Sequence, residues 1–169
     1  AKGIALPGMV AFDIHAGTPG RGEKIQAQAA EAGVRLVAGS EELAASADVI
    51  LSVVTAAEAG LAAEQTVPYL GAGHLYADMN SVSPALKVTI GETIAATAAK
   101  FVEVAIMAPV FPYGHKVPMI SGGPFTREFA EIFAPLGMEI ESGDPTIGSA
   151  SASKMCRSIV VKGMEAILT

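Results

Sequence analysis

The segment Asp48–Val54, DVILSVV, is apolar along almost its whole length. A strand with one face in water alternates apolar and polar side chains, and a strand covered on both faces does not need to. A chain with such a segment is therefore predicted to carry a sheet sandwiched between helices. The rest of the pattern agrees. Gly8–Ile14, Val34–Ala38, His74–Met79, Phe101–Ile106, Met119–Gly122 and Met138–Ser142 read as further strands. Glu23–Ala32, a stretch capped by Ser40, Ala56–Leu70, Pro84 to about Ala99, Thr126–Ala134 and a stretch from about Ser149 read as helices. Gly33 is placed to end the first helix, Ser40 to cap the second, and Pro84 to open a first turn. Strands alternating with helices of roughly 10–15 residues indicate βαβ units, and so an α/β chain with a doubly wound, mostly parallel sheet of the Rossmann type.

Composition narrows the functional classes. Of 169 residues, 51% are hydrophobic and 17% charged, which supplies a core and argues against disorder. The formal charge of −6 offers no basic footprint for nucleic acid and none for an anionic membrane. A single cysteine, Cys156, excludes a disulfide framework and a multi-cysteine metal site, and His15, His74 and His115 lack ligand spacing, so no metal is expected. No apolar run reaches the ~18 residues of a membrane span, and the first residues lack a signal-peptide pattern. The expectation is a soluble cytoplasmic protein. Ala1–Pro7 is too short for a complete βα unit and the last helix reaches Thr169 without a breaker, so the chain is expected to be cut short at both ends.

Open parallel sheets bind ligands at the carboxyl ends of their strands. Asp13 ends the first visible strand, where an acidic side chain can hold the ribose hydroxyls of an adenosine or simply serve the turn. His15, Arg21 and Lys24 nearby would suit a 2′-phosphate instead. The loop Gly17–Gly22, GTPGRG, has its glycines in the wrong order for the dinucleotide fingerprint and lacks an acidic residue about 20 positions later. It reads as the loop after a second Rossmann strand, with the true glycine loop expected upstream of Ala1. Val54 and Thr55 follow the most apolar strand and line either a cofactor crevice or a plain loop. Asn80 and Ser81 join a strand end to a helix start, a place that suits a carboxylate or amide ligand as well as ordinary capping. Ser121-Gly122-Gly123 closes a later strand, for close backbone approach or a tight turn.

The stretch Gly148–Glu165, GSASASKMCRSIVVKGME, is the most informative. Lys154 and Ser158 share one helix face, and Glu165 falls near it. A lysine early in a helix opposes the macrodipole. General-base work would account for it, a surface position is the alternative, and Lys162 competes for the role.

Together these segments resemble the β-hydroxyacid dehydrogenases, the family of the 3-hydroxyisobutyrate, tartronate-semialdehyde and 6-phosphogluconate enzymes. YADMNSVSP (Tyr76–Pro84) is similar to the family's D-x-S-T/N-S-x-x-P segment, with Asn80-Ser81 like the phosphogluconate branch. VEVAIMAPV (Val102–Val110) is similar to the strand before the substrate loop, PMISGG (Pro118–Gly123) to the strand and double glycine after it, and GSASASK (Gly148–Lys154) to G-x-G-x-x-x-K. The resemblance implies a dinucleotide-binding domain over residues 1–147 and, over 148–169, the start of a helix leading to an all-helical domain and a homodimer. It implies hydride transfer between NAD, or NADP, and a small 3-hydroxy acid, with Lys154 and Ser158 catalytic. Asp13, Val54, Thr55 and Asn80 would hold cofactor, and Asn80, Ser81, Met107, Ala108 and Arg157 would hold substrate. Arg157 would lower the Lys154 pKa or pair with a substrate carboxylate. The chain departs from the pattern where Met107-Ala108-Pro109 replaces Ser-Gly-Gly, Ala150 replaces a glycine and Ser158 replaces an asparagine. A divergent branch follows, with imine reduction or cofactor binding without turnover as alternatives.

Overall fold

In the computed structural model, residues 8–168 are described; Ala1–Pro7, on which the expectation of an incomplete first unit rests, and Thr169 lie outside them. The elements are β1 (Val10–Ala11), α1 (Arg21–Ala32), β2 (Arg35–Leu36), α2 (Ser40–Ala45), β3 (Val49–Ser52), α3 (Ala59–Thr66), β4 (Leu75–Asp78), α4 (Pro84–Ala95), β5 (Lys100–Ile106), the single turn α5 (Val110–Tyr113), β6 (Met119–Gly122), α6 (Thr126–Phe133), β7 (Ile140–Ser142) and α7 (Ser149–Leu168). β1 and β2 form a parallel pair around α1, while β3 to β7 form one sheet in sequential order. This is the α/β, Rossmann-like, mostly parallel architecture that the sequence predicts.

The sheet departs from uniform parallel pairing at one place, where β6 runs antiparallel to β5. A parallel crossover needs a full connecting helix. The segment between β5 and β6, Met107–Pro118, holds only one kinked helical turn and a 3₁₀ turn, and its ends meet through the bond from Met107 N to Pro118 O at 2.8 Å. Local boundaries also shift. α1 starts at Arg21 rather than Glu23, because the GTPGRG loop folds tightly back on itself: a Cβ on Gly22 would lie 2.4 Å from the Ala16 carbonyl oxygen. Gly33 ends α1 in the left-handed conformation at φ 67°, as its position predicts. Ser40 is not the cap of α2; Gly39 is, and Glu42 instead accepts from the Ala38 N–H at 3.0 Å and pairs with Arg35. α3 stops at Thr66, where Pro68 turns the chain into a 3₁₀ turn.

Alternation along the strands sorts the side chains onto two faces. On one, Ile50, Tyr76 and Phe101 stand side by side in register and pack against Ala44, Ala59, Ala63, Ile90 and Ile94 of the helices. On the other, Leu75, Ala77, Val102 and Val104 pack against Met119, Phe129 and Phe133. Two residues beyond Ile50, Tyr76 and Phe101, on their own face, the register lines up Ser52, Asp78, Glu103 and Gly122 in one row across four strands. An apolar helix-facing surface thus gives way to a polar row at the carboxyl end of the parallel strands.

That row is buried, and buried charge requires partners. Lys87, on the inward face of α4 with Ile90, Gly91 and Ile94, has no exposed surface. Its ammonium donates to the Asp78 carbonyl oxygen at 2.7 Å and lies 3.0 Å from Asp78 Oδ2. Asp78 Oδ1 accepts from the Asn80 backbone N–H at 3.0 Å and from its side-chain amide at 2.5 Å. Burial lowers the Lys87 pKa, and the Asp78 carboxylate opposes that shift. Among the described residues no helix is long and apolar enough to cross a membrane, and no group of three His, Cys, Asp or Glu is placed to hold a metal ion.

Two stability outcomes follow from this packing. Phe129, fully buried and 4.9 Å from the Phe133 ring centroid, holds α6 to the sheet, and Phe129→Ala should cost about 3–5 kcal/mol in urea unfolding. Asp78→Asn or Lys87→Met alone should each cost about 3–5 kcal/mol by stranding a buried charge. The double variant should lose clearly less than the sum in a double-mutant cycle; simple additivity would show that the two charges are not coupled.

Candidate active site

The polar row ends at a turn and two helix starts, and these assemble the site. Asn80 is buried, and both hydrogens of its side-chain amide are engaged inward, on Ser52 Oγ at 3.0 Å and Asp78 Oδ1. Its carbonyl oxygen therefore remains as the acceptor. Ser81 follows with its side chain exposed, because the chain turns outward before Ser83 caps α4 by accepting from the Leu86 N–H at 3.2 Å. Asn80 is thus a structural pin and Ser81 the presented hydroxyl, a division of roles that the dipeptide alone does not reveal.

α7 supplies the other wall. Lys154, half-buried and one turn into that helix, donates from Nζ to Ser81 Oγ at 2.6 Å. This bond joins segments 73 residues apart. Burial holds the Lys154 pKa below the usual lysine range. Arg157, one turn further on, donates to the Met107 carbonyl oxygen at 2.5 Å. Its guanidinium braces the end of β5, and the lowering at Lys154 comes from burial. Ser158 is half-buried on the same helix and makes no bond to Lys154 or Ser81.

Other ionisable groups near the row are less suited to exchanging a proton with a ligand. Burial pushes the Tyr76 hydroxyl up to about 12, so it stays protonated. Lys87 is sealed beneath the site. Lys154 alone, among the described lysines with a lowered pKa, is open to solvent.

The remaining candidates lie on other elements, with Asp13 beside the separate β1–β2 pair. Val54 is 44% exposed and Thr55 is exposed, one strand over from Asn80. Asp13 follows β1, and its carboxylate accepts from the His15 N–H at 2.8 Å, a turn-forming bond that still leaves acceptor capacity. Ala108 is half-buried beside Met107 at the end of β5. A cleft of about 530 Å³ opens beside Met107 and Arg157, floored by Ile120 and Ile140 and edged by Glu139 and Glu141; Lys154 and Ser81 do not line it.

Two members of the polar network, Lys87 and Glu103, do not follow from reading strand ends alone. Glu103 sits in the middle of the largely apolar strand β5, and Lys87 sits on the apolar stripe of α4. A charge at a core position is itself a signal, since it must be paired to be tolerated.

No family model matches the chain. It is 32% identical over 149 residues to an uncharacterized 28.5 kDa protein in the 7S RNA 5′ region of Methanothermus fervidus, covering 88% of this chain and 56% of that protein. A conserved hypothetical protein from Sinorhizobium meliloti 1021 superposes with a TM-score of 0.88 at 38% identity, over 95% of this chain and 54% of the other. Conserved protein MTH1747, of unknown function and described as structurally similar to 3-hydroxyacid dehydrogenases, superposes with a TM-score of 0.82 at 28% identity, over 95% and 58%. An imine reductase variant from Myxococcus stipitatus in complex with NAD+ shares the fold at a TM-score of 0.73 and 18% identity, over 93% and 53%. The chain spans about half the length of the relatives it matches. In fold, it is a Rossmann-like α/β domain, similar in structure to a protein of unknown function that is itself described as similar to 3-hydroxyacid dehydrogenases.

Proposed function

We propose that this chain is the cofactor-binding and proton-exchanging domain of an NAD(P)-dependent oxidoreductase acting on a small hydroxy acid. The observation that carries the reading is the contact of Lys154 Nζ with Ser81 Oγ, which sets a lysine of lowered pKa against a presented hydroxyl at the carboxyl end of the sheet. Residues at several strand ends suit a dinucleotide. Val54 and Thr55 are exposed, Asp13 offers a carboxylate for ribose, and the Asn80 carbonyl oxygen can meet an amide. When bound, the nicotinamide would accept or donate the hydride.

The chain's own part is the proton. In oxidation, neutral Lys154 takes the hydroxyl proton of the substrate as its C–H hydride departs, and in reduction the ammonium returns it. Ser81 holds that oxygen in place. Whole-protein features belong to the same proposal. A linked helical domain and a homodimer would cover Ile159, Val160 and Met164, which α7 leaves exposed.

A second reading, imine reduction, has one observation in its favour. Met107 and Ala108 make the end of β5 apolar, and the Arg157 guanidinium is spent in part on the Met107 carbonyl. A neutral, apolar substrate would suit that wall better than a carboxylate.

The deciding measurement follows nicotinamide absorbance with NAD and NADP against a panel of 3-hydroxy acids and cyclic imines. Turnover of hydroxy acids supports the first reading and imine reduction the second, while cofactor binding with no turnover of either leaves a binding module. Lys154→Met should lower hydroxy-acid turnover by roughly 10²–10⁴-fold. Because the reactive form in oxidation is the free amine, the oxidation rate should rise with pH and level off below the usual lysine value of about 10.4. The reduction rate should fall through the same pH. Oxidation in Lys154→Met at the parent rate would remove Lys154 from the role.

A further inference from the structure

A fully buried carboxylate lies behind Lys154. Glu103 has no exposed surface and belongs to β5, yet its bonds go to the start of α7. Oε1 accepts from the Gly148 N–H at 2.6 Å and the Ala150 N–H at 3.0 Å. Oε2 accepts from the Ser151 N–H at 3.3 Å and the Ser151 hydroxyl at 2.8 Å. The first N–H groups of a helix have no partner within it and are normally met by a side chain next to them in sequence. Gly148, at the cap position, has no side chain to do that, and the Ser149 hydroxyl donates to the Asp144 carbonyl. The acceptor for this 20-residue helix comes instead from a strand about 45 residues earlier in the chain.

The surroundings are shaped to this carboxylate. A Cβ on Gly122, its neighbour in the polar row, would lie 2.6 Å from Glu103 Oε1. Gly148 enters the helix at φ 99°, and a Cβ there would lie 3.3 Å from the Pro84 carbonyl, at the start of the helix that follows Asn80-Ser81. Glu103 thus ties α7 to β5 at the point where α7 also abuts the Ser81 turn. Arg157 to Met107 ties the same helix to the end of the same strand. Lys154 stands between these two anchors. The negative charge is compensated by the positive end of the α7 dipole and by Lys87; burial lowers the Lys87 pKa, and the charges of Asp78 and, to a lesser degree, Glu103 act against that lowering.

We propose that Glu103 is a positioning residue, which fixes the first turn of α7 from the sheet and thereby sets where Lys154 stands against Ser81. The inference rests on the proposed role of Lys154, and its test reads geometry separately from turnover. Lysines of the full chain are reductively methylated with ¹³C-formaldehyde, and the Lys154 signal, assigned by its loss in Lys154→Arg, is titrated by NMR. Amide hydrogen exchange is followed in parallel at residues 148–154.

In the parent, Lys154 should titrate below ordinary lysine. In Glu103→Ala, exchange at 148–154 should accelerate at least roughly tenfold beyond any global change, and the Lys154 titration should move up to the ordinary range as the helix start leaves its burial. Glu103→Gln keeps a carbonyl for Gly148 and Ala150 and should recover part of both effects. Gly122→Ala, which displaces the carboxylate without removing it, should shift both in the same direction as Glu103→Ala. If Glu103→Ala does not fold, Glu103→Gln and Gly122→Ala carry the test, each expected to show smaller shifts of the same sign. Folded variants with unchanged Lys154 titration and unchanged local exchange overturn the proposal. An ordinary titration of Lys154 in the parent would count against the proposed catalytic reading instead, and Glu103 would then be judged by the exchange data alone.

Discussion

A carboxylate cut off from water must find donors, and the donors it finds decide which parts of a protein stay together. Glu103 finds three backbone N–H groups and a hydroxyl at the start of α7. Charge-assisted bonds of this kind are shorter and stronger than neutral ones, and leaving either side unmet in the core would be costly. The consequence is directional: a strand in the middle of the sheet dictates where a long, otherwise exposed helix begins. Of that helix only Ala150 and Ser151 are buried, so its docking depends on this end.

The same logic extends across the sheet. Ser52, Asp78 and Glu103 occupy one row, and each reaches for something outside its own strand: Asn80, Lys87 and α7 respectively. Pleating places them on the face that carries α4 and α7, just beyond the apolar patch of Ile50, Tyr76 and Phe101. Apolar packing supplies the bulk of the cohesion, and the polar row supplies registry. This division suits a site that must hold a hydroxyl and an amine at a fixed distance, because a purely apolar seam can slide and a set of buried, paired charges cannot.

Much of the fold was legible in the residues. The helix end at Gly33 and the helix start at Pro84 each rest on local chemistry, and each has a structural counterpart. The apolar run Asp48–Val54 does form β3, but at the sheet's edge and with only alternate side chains buried, Leu51 being 36% and Val53 70% exposed, so its apolarity does not mean cover on both faces. Boundaries were less legible where tertiary contact overrides propensity. Ser40 is a good capping residue, yet Gly39 caps α2 while Glu42 and Arg35 meet one another. The antiparallel direction of β6 was legible only in part: residues 107–118 carry no helical pattern, which speaks against a parallel crossover, but the direction itself is fixed by how the folded connection brings β6 back beside β5. In the site, Lys154 and Ser81 were each nameable from spacing and resemblance. Their contact was not, since 73 residues separate them.

What the sequence by itself determined is the alternation of apolar strands and helices, and with it the layered α/β class, because hydrophobic period is a local property that any fold of this chain has to satisfy. What only the tertiary structure decided is the use of the charges. Glu103 and Lys87 look like misplaced residues in an apolar strand and on an apolar helix face until the sheet brings their partners to them. Partner choice depends on through-space distance, which chain spacing does not encode, and it is this choice that turns a helix with a lysine near its start into one wall of a site.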